Sequence, residues 1–354
     1  MQLETKDRFS GCLLAGAVGD ALGVPVEFLT LAEIRTKYGP EGIRTFTETP
    51  SGIGIVSDDT QMTLFTAEGL LSEYHLCRAG GSKPDYSTAV YRSYLRWLHT
   101  QGEVSQDPAF RDCLGGELLK VPELNHRRGP GSTCLSSLIS GRIGTVASPI
   151  NTGKGCGGVM RVAPAGLFCR AIPGGMGDRE RAAMAFELGC AVAAVTHGHP
   201  LGYLPAGYLA AVMFFLTAGL GLEEAQSKAM LLLVERPESE KGSLAALIAR
   251  ALRSAQQDKP SPETLERLGA GWVADEALAI SLYCAASAKG DLATGLRLAV
   301  NHSGDSDSTG AITGNILGAL LGKGAIPEAW LTSLEMRELL EKISMELFAV
   351  SQKP

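Results

Sequence analysis

Positive charge is nowhere concentrated in this sequence. Lys and Arg number 32 against 38 Asp and Glu, a net charge of -6. No basic block appears, so the footprint of a nucleic-acid-binding face is missing. The eight cysteines (Cys12, Cys77, Cys113, Cys134, Cys156, Cys169, Cys190 and Cys284) form no CxxC pair and no dense framework. Such scattered thiols fit a reducing compartment, and the chain is expected in the cytoplasm. The opening "MQLETKDRFSGCLLAG" mixes charges of both signs ahead of a short small-residue run, unlike a secretory leader. Aromatics are few, at 6%. Strict strand-type alternation is hard to find, and no long Pro/Ser linker divides the chain. One stretch, 201–222, is uncharged and long enough to cross a bilayer. Pro205, its small residues and its tyrosines, with flanks that are not basic, favour a helix buried in a large soluble core instead. No membrane association is expected.

Alanine, leucine and glycine are abundant, and 45% of the 354 residues are hydrophobic, ample for a sizeable core. Helical spacing recurs over roughly 8–22, 60–75, 87–100, 180–197, 204–218, 222–235, 243–257, 274–288, 291–300, 309–322 and 334–350. This predicts an all-α protein, read as one domain over 1–354. The loops at 36–56, 101–132 and 144–158 are long and rich in Gly and Pro, a place where function collects. Two helices carry a small residue at every fourth position: Gly11, Ala15, Gly19 and Gly23, then Gly310, Gly314, Gly318 and Gly322. Glycine costs about 1 kcal/mol relative to alanine inside a helix. Its repetition therefore predicts close backbone approach between helices deep in the core.

Acidic and hydroxyl side chains cluster at two of these helix starts: Ser57, Asp58, Asp59 and Thr60 in "SDDT", and Asp305, Asp307, Ser308 and Thr309 in "GDSDSTG". Either cluster taken alone reads as a helix cap, since Ser, Thr and Asp suit that position and the helix dipole. Capping needs one or two oxygens, however. Paired aspartates with no Lys or Arg beside them repel one another, and a hard divalent cation would resolve this. The EF-hand register fails: counted from Asp305, position twelve is Ile316 where a bidentate Glu is required. No Cys/His spacing supports zinc apart from His197 and His199. Asp20 stands inside an apolar helix and reads as a buried carboxylate satisfied by backbone donors. Glu27 follows just beyond it.

The segments "GCLLAGAVGDALGVPVEF", "SDDTQMTL", "GCGGVMRVAP", "THGHPLGY" and "GDSDSTGAITGNILGAL" occur in that order. Together they resemble the ADP-ribosylglycohydrolase family, over about residues 8 to 323. The resemblance implies an all-α orthogonal bundle with a centre of two Mg²⁺ or Mn²⁺ ions. It implies Ser57, Asp58, Asp59, Asp305, Asp307 and Ser308 as metal ligands, with Thr60 and Thr309 in supporting or capping roles. Glu27 matches a family glutamate on a mobile loop that contacts a metal or acts in catalysis, and Asp58 and Asp305 are the other catalytic candidates. Gly155, Cys156, Gly157 and Gly158 align with phosphate and ribose contacts, although Cys156 stands where some relatives have a polar amide. His197 aligns with a ligand-contacting histidine. Tyr203 is expected near the adenine or ribose, and Ser303 and Gly304 near the distal ribose. His199 has no assigned role.

The activity implied is hydrolysis of the N- or O-glycosidic bond that joins ADP-ribose to a protein side chain or small acceptor. The expected partners are thus an ADP-ribosylated protein or a small ADP-ribosyl conjugate. Activated water would attack the anomeric carbon, with Glu27 or a metal-bound aspartate as base. Two other readings stand beside it: a metal-dependent phosphohydrolase acting on a nucleotide diphosphate, and a non-catalytic ADP-ribose-binding protein.

Overall fold

The computed structural model describes residues 3–47, 52–81, 83–172 and 175–352. Sixteen α-helices occupy the described residues. The first eight are α1 Thr5–Gly23, α2 Leu31–Tyr38, α3 Asp58–Gly80, α4 Tyr86–Thr100, α5 Ser132–Ile139, α6 Ala163–Ala171, α7 Asp178–Ala194 and α8 Pro200–Thr217. The others are α9 Leu222–Val234, α10 Lys241–Gln257, α11 Pro262–Glu266, α12 Ala274–Ser287, α13 Leu292–Val300, α14 Ser306–Leu321, α15 Glu328–Ser333 and α16 Arg337–Ala349. No strand forms among the described residues. Two isolated bridges, Gly54 to Leu334 and Gly155 to Val273, are the only β-type pairings there.

All eleven expected helices are present. The five that the periodicity misses (α2, α5, α6, α11 and α15) span nine residues or fewer, short of the roughly 11–18-residue window in which a repeating face stands out. The opposite case is α10, which buries Leu244, Ile248, Ala251 and Ala255 along one stripe, flanked by half-buried residues, with an exposed outer face. The expected loop 36–56 begins inside α2, and its residues 48–51 lie outside the described residues. The uncharged 201–222 stretch forms α8, whose residues from Gly202 to Thr217 are all buried against neighbouring helices.

The two small-residue ridges meet each other. Helices α1 and α14 run antiparallel in the most extensive packing of any helix pair. Gly11 faces Gly318, Ala15 faces Gly314, Gly19 faces Gly310, and Gly23 lies on the Asp307 backbone. A Cβ at Gly310 or Gly314 would fall on the opposite helix's carbonyl oxygen. Asn315 fills the notch over Gly16 and donates to the Cys12 carbonyl at 2.9 Å. This antiparallel match brings the carboxyl end of α1 to the amino end of α14. Glu27 and Asp20 thereby arrive beside Asp305 and Asp307, nearly three hundred residues away in sequence.

Candidate metal centre and ligand hollow

Asp20 joins the third segment to these two. It lies fully buried on α1, and its carboxylate accepts from Ser57 N at 2.9 Å, Thr60 N at 3.1 Å and the Thr60 hydroxyl. It therefore bolts the start of α3 onto the end of α1, in the satisfied, structural role expected for it. Ser57 caps α3 by accepting from Asp59 N at 3.2 Å, and its hydroxyl lies beside Asp307. Asp305 and Asp307 cap α14 through Ser308 N, and Asp305 N is held by the Ala270 carbonyl at 2.8 Å. Thr309 turns away into backbone carbonyls and His302.

Caps account for only part of this oxygen. Asp59 Oδ2 and Asp305 Oδ2 are buried with no hydrogen-bond partner among the described residues. None of Asp20, Glu27, Asp58, Asp59, Asp305 or Asp307 forms a salt bridge there either. Ligand atoms of Glu27, Asp305 and Asp307 lie within 4.8 Å of one another. Burial, then the Asp307 charge, pushes the Asp20 carboxyl up to about 7 and that of Glu27 to about 9. The same two causes hold Asp58, Asp59 and Asp305 well above the usual carboxylate range, and burial raises Asp307. Two helix N-termini favour these carboxylates, yet the field stays strongly negative. An all-oxygen set with buried orphaned lone pairs and no protein counter-charge fits a hard divalent cation.

These acids form one wall of a hollow of about 400 Å³, a size suited to a small ligand. Its lining includes Glu27, Asp58, Asp59, Gly155, Cys156, Gly157, His197, Asp305, Asp307 and Ser308. The glycine loop is fixed by Cys156 N on the Trp272 carbonyl (3.1 Å) and by Ala274 N on that of Lys154 (2.9 Å). Burial and the neighbouring Asp305 and Asp59 charges push the Cys156 thiol well above its ordinary range, so it stands against the acids and not against open loop space. His197 is buried, with Nδ1 2.8 Å from the Thr196 hydroxyl.

Four expected contacts need correction, because the structure does not bring them to the lining. Gly158 packs beneath the loop, where a Cβ would lie 2.8 Å from the Gly202 carbonyl. Tyr203 is buried in α8, and its hydroxyl reaches Glu238 at 3.4 Å. Ser303 is an outer brace, accepting from Leu31 N at 2.9 Å and bonding Glu266. Gly304 is pressed on the Ala270 backbone at a φ of 142°, which only glycine adopts readily.

Several lining residues carried no signal in the sequence. Gly129 to Cys134 enter from the 101–132 loop and the start of α5, with Gly131 N donating to Asp58 at 3.3 Å. Gln61 anchors that loop by donating to the His126 carbonyl at 3.0 Å. Met160 lies below. At the rim, Phe28 stacks on Trp272 with ring centroids 5.5 Å apart, and both are exposed. The Gly-Pro-Gly at 129–131 in a long loop was the one available hint.

An all-α protein with an acid-walled hollow built at two helix starts is thus the class that fold and site define. The chain belongs to the ADP-ribosylglycohydrolase family, whose sequence profile matches residues 1–354. An uncharacterized protein of Archaeoglobus fulgidus is 30% identical over 98% of both chains. The ADP-ribosyl-[dinitrogen reductase] glycohydrolase of Rhodospirillum rubrum is 26% identical over 94% of this chain and 91% of its own. The ADP-ribosylarginine hydrolase Tri1 of Pseudomonas putida is 25% identical over 97% of this chain and 78% of its own. A solved ADP-ribosylglycohydrolase-related protein complex superposes with a TM-score of 0.65 and 26% identity, covering 98% of this chain and 99% of that one.

Proposed function

We propose that the protein is a divalent-cation-dependent hydrolase that cleaves the glycosidic bond between ADP-ribose and a modified side chain or small acceptor, releasing ADP-ribose. The chain would work as one domain. The orphaned Asp59 Oδ2 and Asp305 Oδ2 carry this reading, since they are acceptors shaped for a cation. Asp58, Asp59, Asp305, Asp307, Ser57 and Ser308 would hold two ions, Mg²⁺ or Mn²⁺, in agreement with the all-oxygen donor set. Bound there, such ions offset the acids' charge, orient sugar hydroxyls and make water a better nucleophile at neutral pH.

The residues of the chain divide the remaining work. Asp20 and Ser57 hold the two helix starts in register. The loop 153–157 leaves room for a diphosphate close to its backbone. Glu27 stands across from Asp305, and its carboxyl keeps its proton while the aspartates are uncompensated. Positive charge among them would lower it into the range of a general base. Water would then lose a proton to Glu27 as its oxygen bonds the anomeric carbon. The bond to the departing nitrogen or oxygen breaks, and that atom leaves with its electron pair and takes up the proton that Glu27 received from the water, which restores the carboxylate.

The relatives named for arginine and dinitrogen-reductase linkages make an ADP-ribosylated protein side chain the first substrate to try. The test is product release from defined arginine, serine and O-acetyl linkages, with and without chelator. Chelator-sensitive release of ADP-ribose is expected. AMP in its place would indicate attack on the diphosphate, and binding without turnover on every linkage would indicate a non-catalytic protein.

A further inference from the structure

The segment just after the glycine loop buries an arginine completely. Arg161 has no exposed surface, and among the described residues it forms no salt bridge. Its guanidinium lies 4.2 Å over the Tyr94 ring, and Nη1 faces the sulfurs of Cys134 and Met62 at 3.4 and 3.5 Å. Nη2 donates to the Val192 carbonyl at 3.2 Å and to Thr196 Oγ1 at 2.7 Å, while Nε has no partner. Burying a cation without an anion costs several kcal/mol, and an apolar side chain of similar volume would serve packing better. Packing alone therefore does not explain the charge.

Its chemistry lies in what a guanidinium cannot do. Arginine donates and never accepts. The Nη2–H occupies a lone pair of Thr196 Oγ1 and leaves the hydroxyl proton to be given elsewhere. His197 Nδ1 is 2.8 Å from that oxygen. If Nδ1 carried a proton, two N–H groups would converge on one oxygen. The hydroxyl would then be left with only the weak sulfur acceptor of Cys134. The arrangement that satisfies every group has Thr196 donating to Nδ1, with the imidazole proton on Nε2. Burial and the Arg161 charge also hold the ring down at about 3, which removes the doubly protonated form. On the far side, a Cβ at Gly155 would lie 3.4 Å from Nε2 and one at Gly157 3.5 Å. The glycines thus keep open the space into which Nε2 points.

We propose that Arg161, which lines no part of the hollow, is a positioning residue: through Thr196 it locks His197 as a neutral ring that offers an Nε2–H donor to a ligand oxygen. Taken with the function proposed above, on which this last assignment rests, that oxygen belongs to the diphosphate of the ADP-ribosyl group beside Gly155 and Gly157.

The tautomer is read directly by long-range proton–nitrogen NMR on protein labelled with ¹⁵N-histidine, with His197 assigned by its disappearance in His197→Gln. The wild type should show a bare Nδ1 and a protonated Nε2. Thr196→Val and Arg161→Met should move population to the Nδ1–H form and lower ADP-ribose affinity about tenfold, the worth of one well-placed hydrogen bond. Thr196→Ser should restore both. A merely structural role would lower the melting temperature of Thr196→Val and leave the tautomer where it was, and that result overturns the proposal. So does a protonated Nδ1 in the wild type. A moved tautomer with unchanged ADP-ribose affinity removes the diphosphate assignment. If ADP-ribose binds no variant and not the wild type either, while the tautomer follows Thr196, the functional reading fails and the relay stands.

Discussion

The acid cluster should make the metal-free protein less stable as pH rises, the reverse of most proteins over the same range. The sign follows from linkage. A carboxyl whose folded pKa is raised keeps its proton longer in the folded chain than in the unfolded one. Its stabilisation is complete below the unfolded value and is lost as pH climbs to the folded value. For Asp20 this window runs from 3.8 to about 7. At about 1.4 kcal/mol per pH unit, tapering as pH reaches the folded value, going from pH 5 to pH 7 removes about 2 kcal/mol through this residue alone. In a chain of this length that is a fall in melting temperature on the order of 3 °C. Asp58, Asp59, Asp305 and Glu27 shift the same way and add to it. A cation that binds only the folded form should reverse the loss, by about 2.7 kcal/mol at a hundred times its dissociation constant. The assay is thermal melting at pH 5, 6, 7 and 8, in chelator and in Mg²⁺ or Mn²⁺. Asp307→Asn is the internal control, because Asp307 is the neighbouring charge that raises each of these five acids or contributes to it. Its metal-free profile should be flatter. A wild-type metal-free protein that melts at the same or a higher temperature at pH 8 than at pH 5 refutes the reasoning. So does an unchanged slope in Asp307→Asn.

Replacing Asp58 or Asp305 by Ala should abolish the cation-dependent rise in melting temperature and lower turnover more than about a hundredfold; calorimetric titration with Mn²⁺ checks the first part and ADP-ribose release the second. Glu27→Gln should lower kcat by about 10² to 10⁴ while ADP-ribose affinity changes only a few-fold, and equal losses in both would make Glu27 a positioning group. Gly314→Ala should cost about 3 kcal/mol or more in denaturant unfolding, because its Cβ meets the Ala15 carbonyl. Gly242→Ala in α10, with open space around it, should instead gain about 0.5–1 kcal/mol.

What could be read in the sequence was whatever repeats or contradicts itself locally. Ten helices of 13 residues or more show their period, as does α13 with nine, whereas the five others, of nine residues or fewer, do not. The glycine ridges announced a close pairing, since nothing else offsets the helix cost of Gly310, Gly314 and Gly318. They did not give the antiparallel register in which the two ridges pair, because that depends on complementarity between distant segments. The acid pairs stood out for lacking a counter-charge. Phe28, Trp272 and Cys134 gave no such signal, and the 129–131 turn gave only the hint of a long Gly- and Pro-rich loop. Their place at the hollow follows from backbone ties such as Cys156 N to the Trp272 carbonyl and Gly131 N to Asp58, which have no sequence pattern. Tyr203 and Ser303 show the converse error. Lying next to site residues in sequence does not aim a side chain, and on a helix or at a sharp glycine turn the neighbour usually points elsewhere.

The cap and the cation explanations for "GDSDSTG" are therefore not rivals. Asp305 Oδ1 and Asp307 Oδ1 each accept from Ser308 N, and that capping fixes both carboxylates in place. A fixed carboxylate cannot swing out to water, so Asp305 Oδ2 stays orphaned. Asp59 Oδ2 is in the same position at the other helix start. Two short α-helical beginnings, held face to face by glycine contact and by Asp20, leave acceptors that no protein donor reaches. The free energy that the fold forgoes there is recovered only by something positively charged arriving from outside. A site of this kind is unstable when empty because it is organised before its ligand comes, and the pH dependence of melting measures how far that organisation goes.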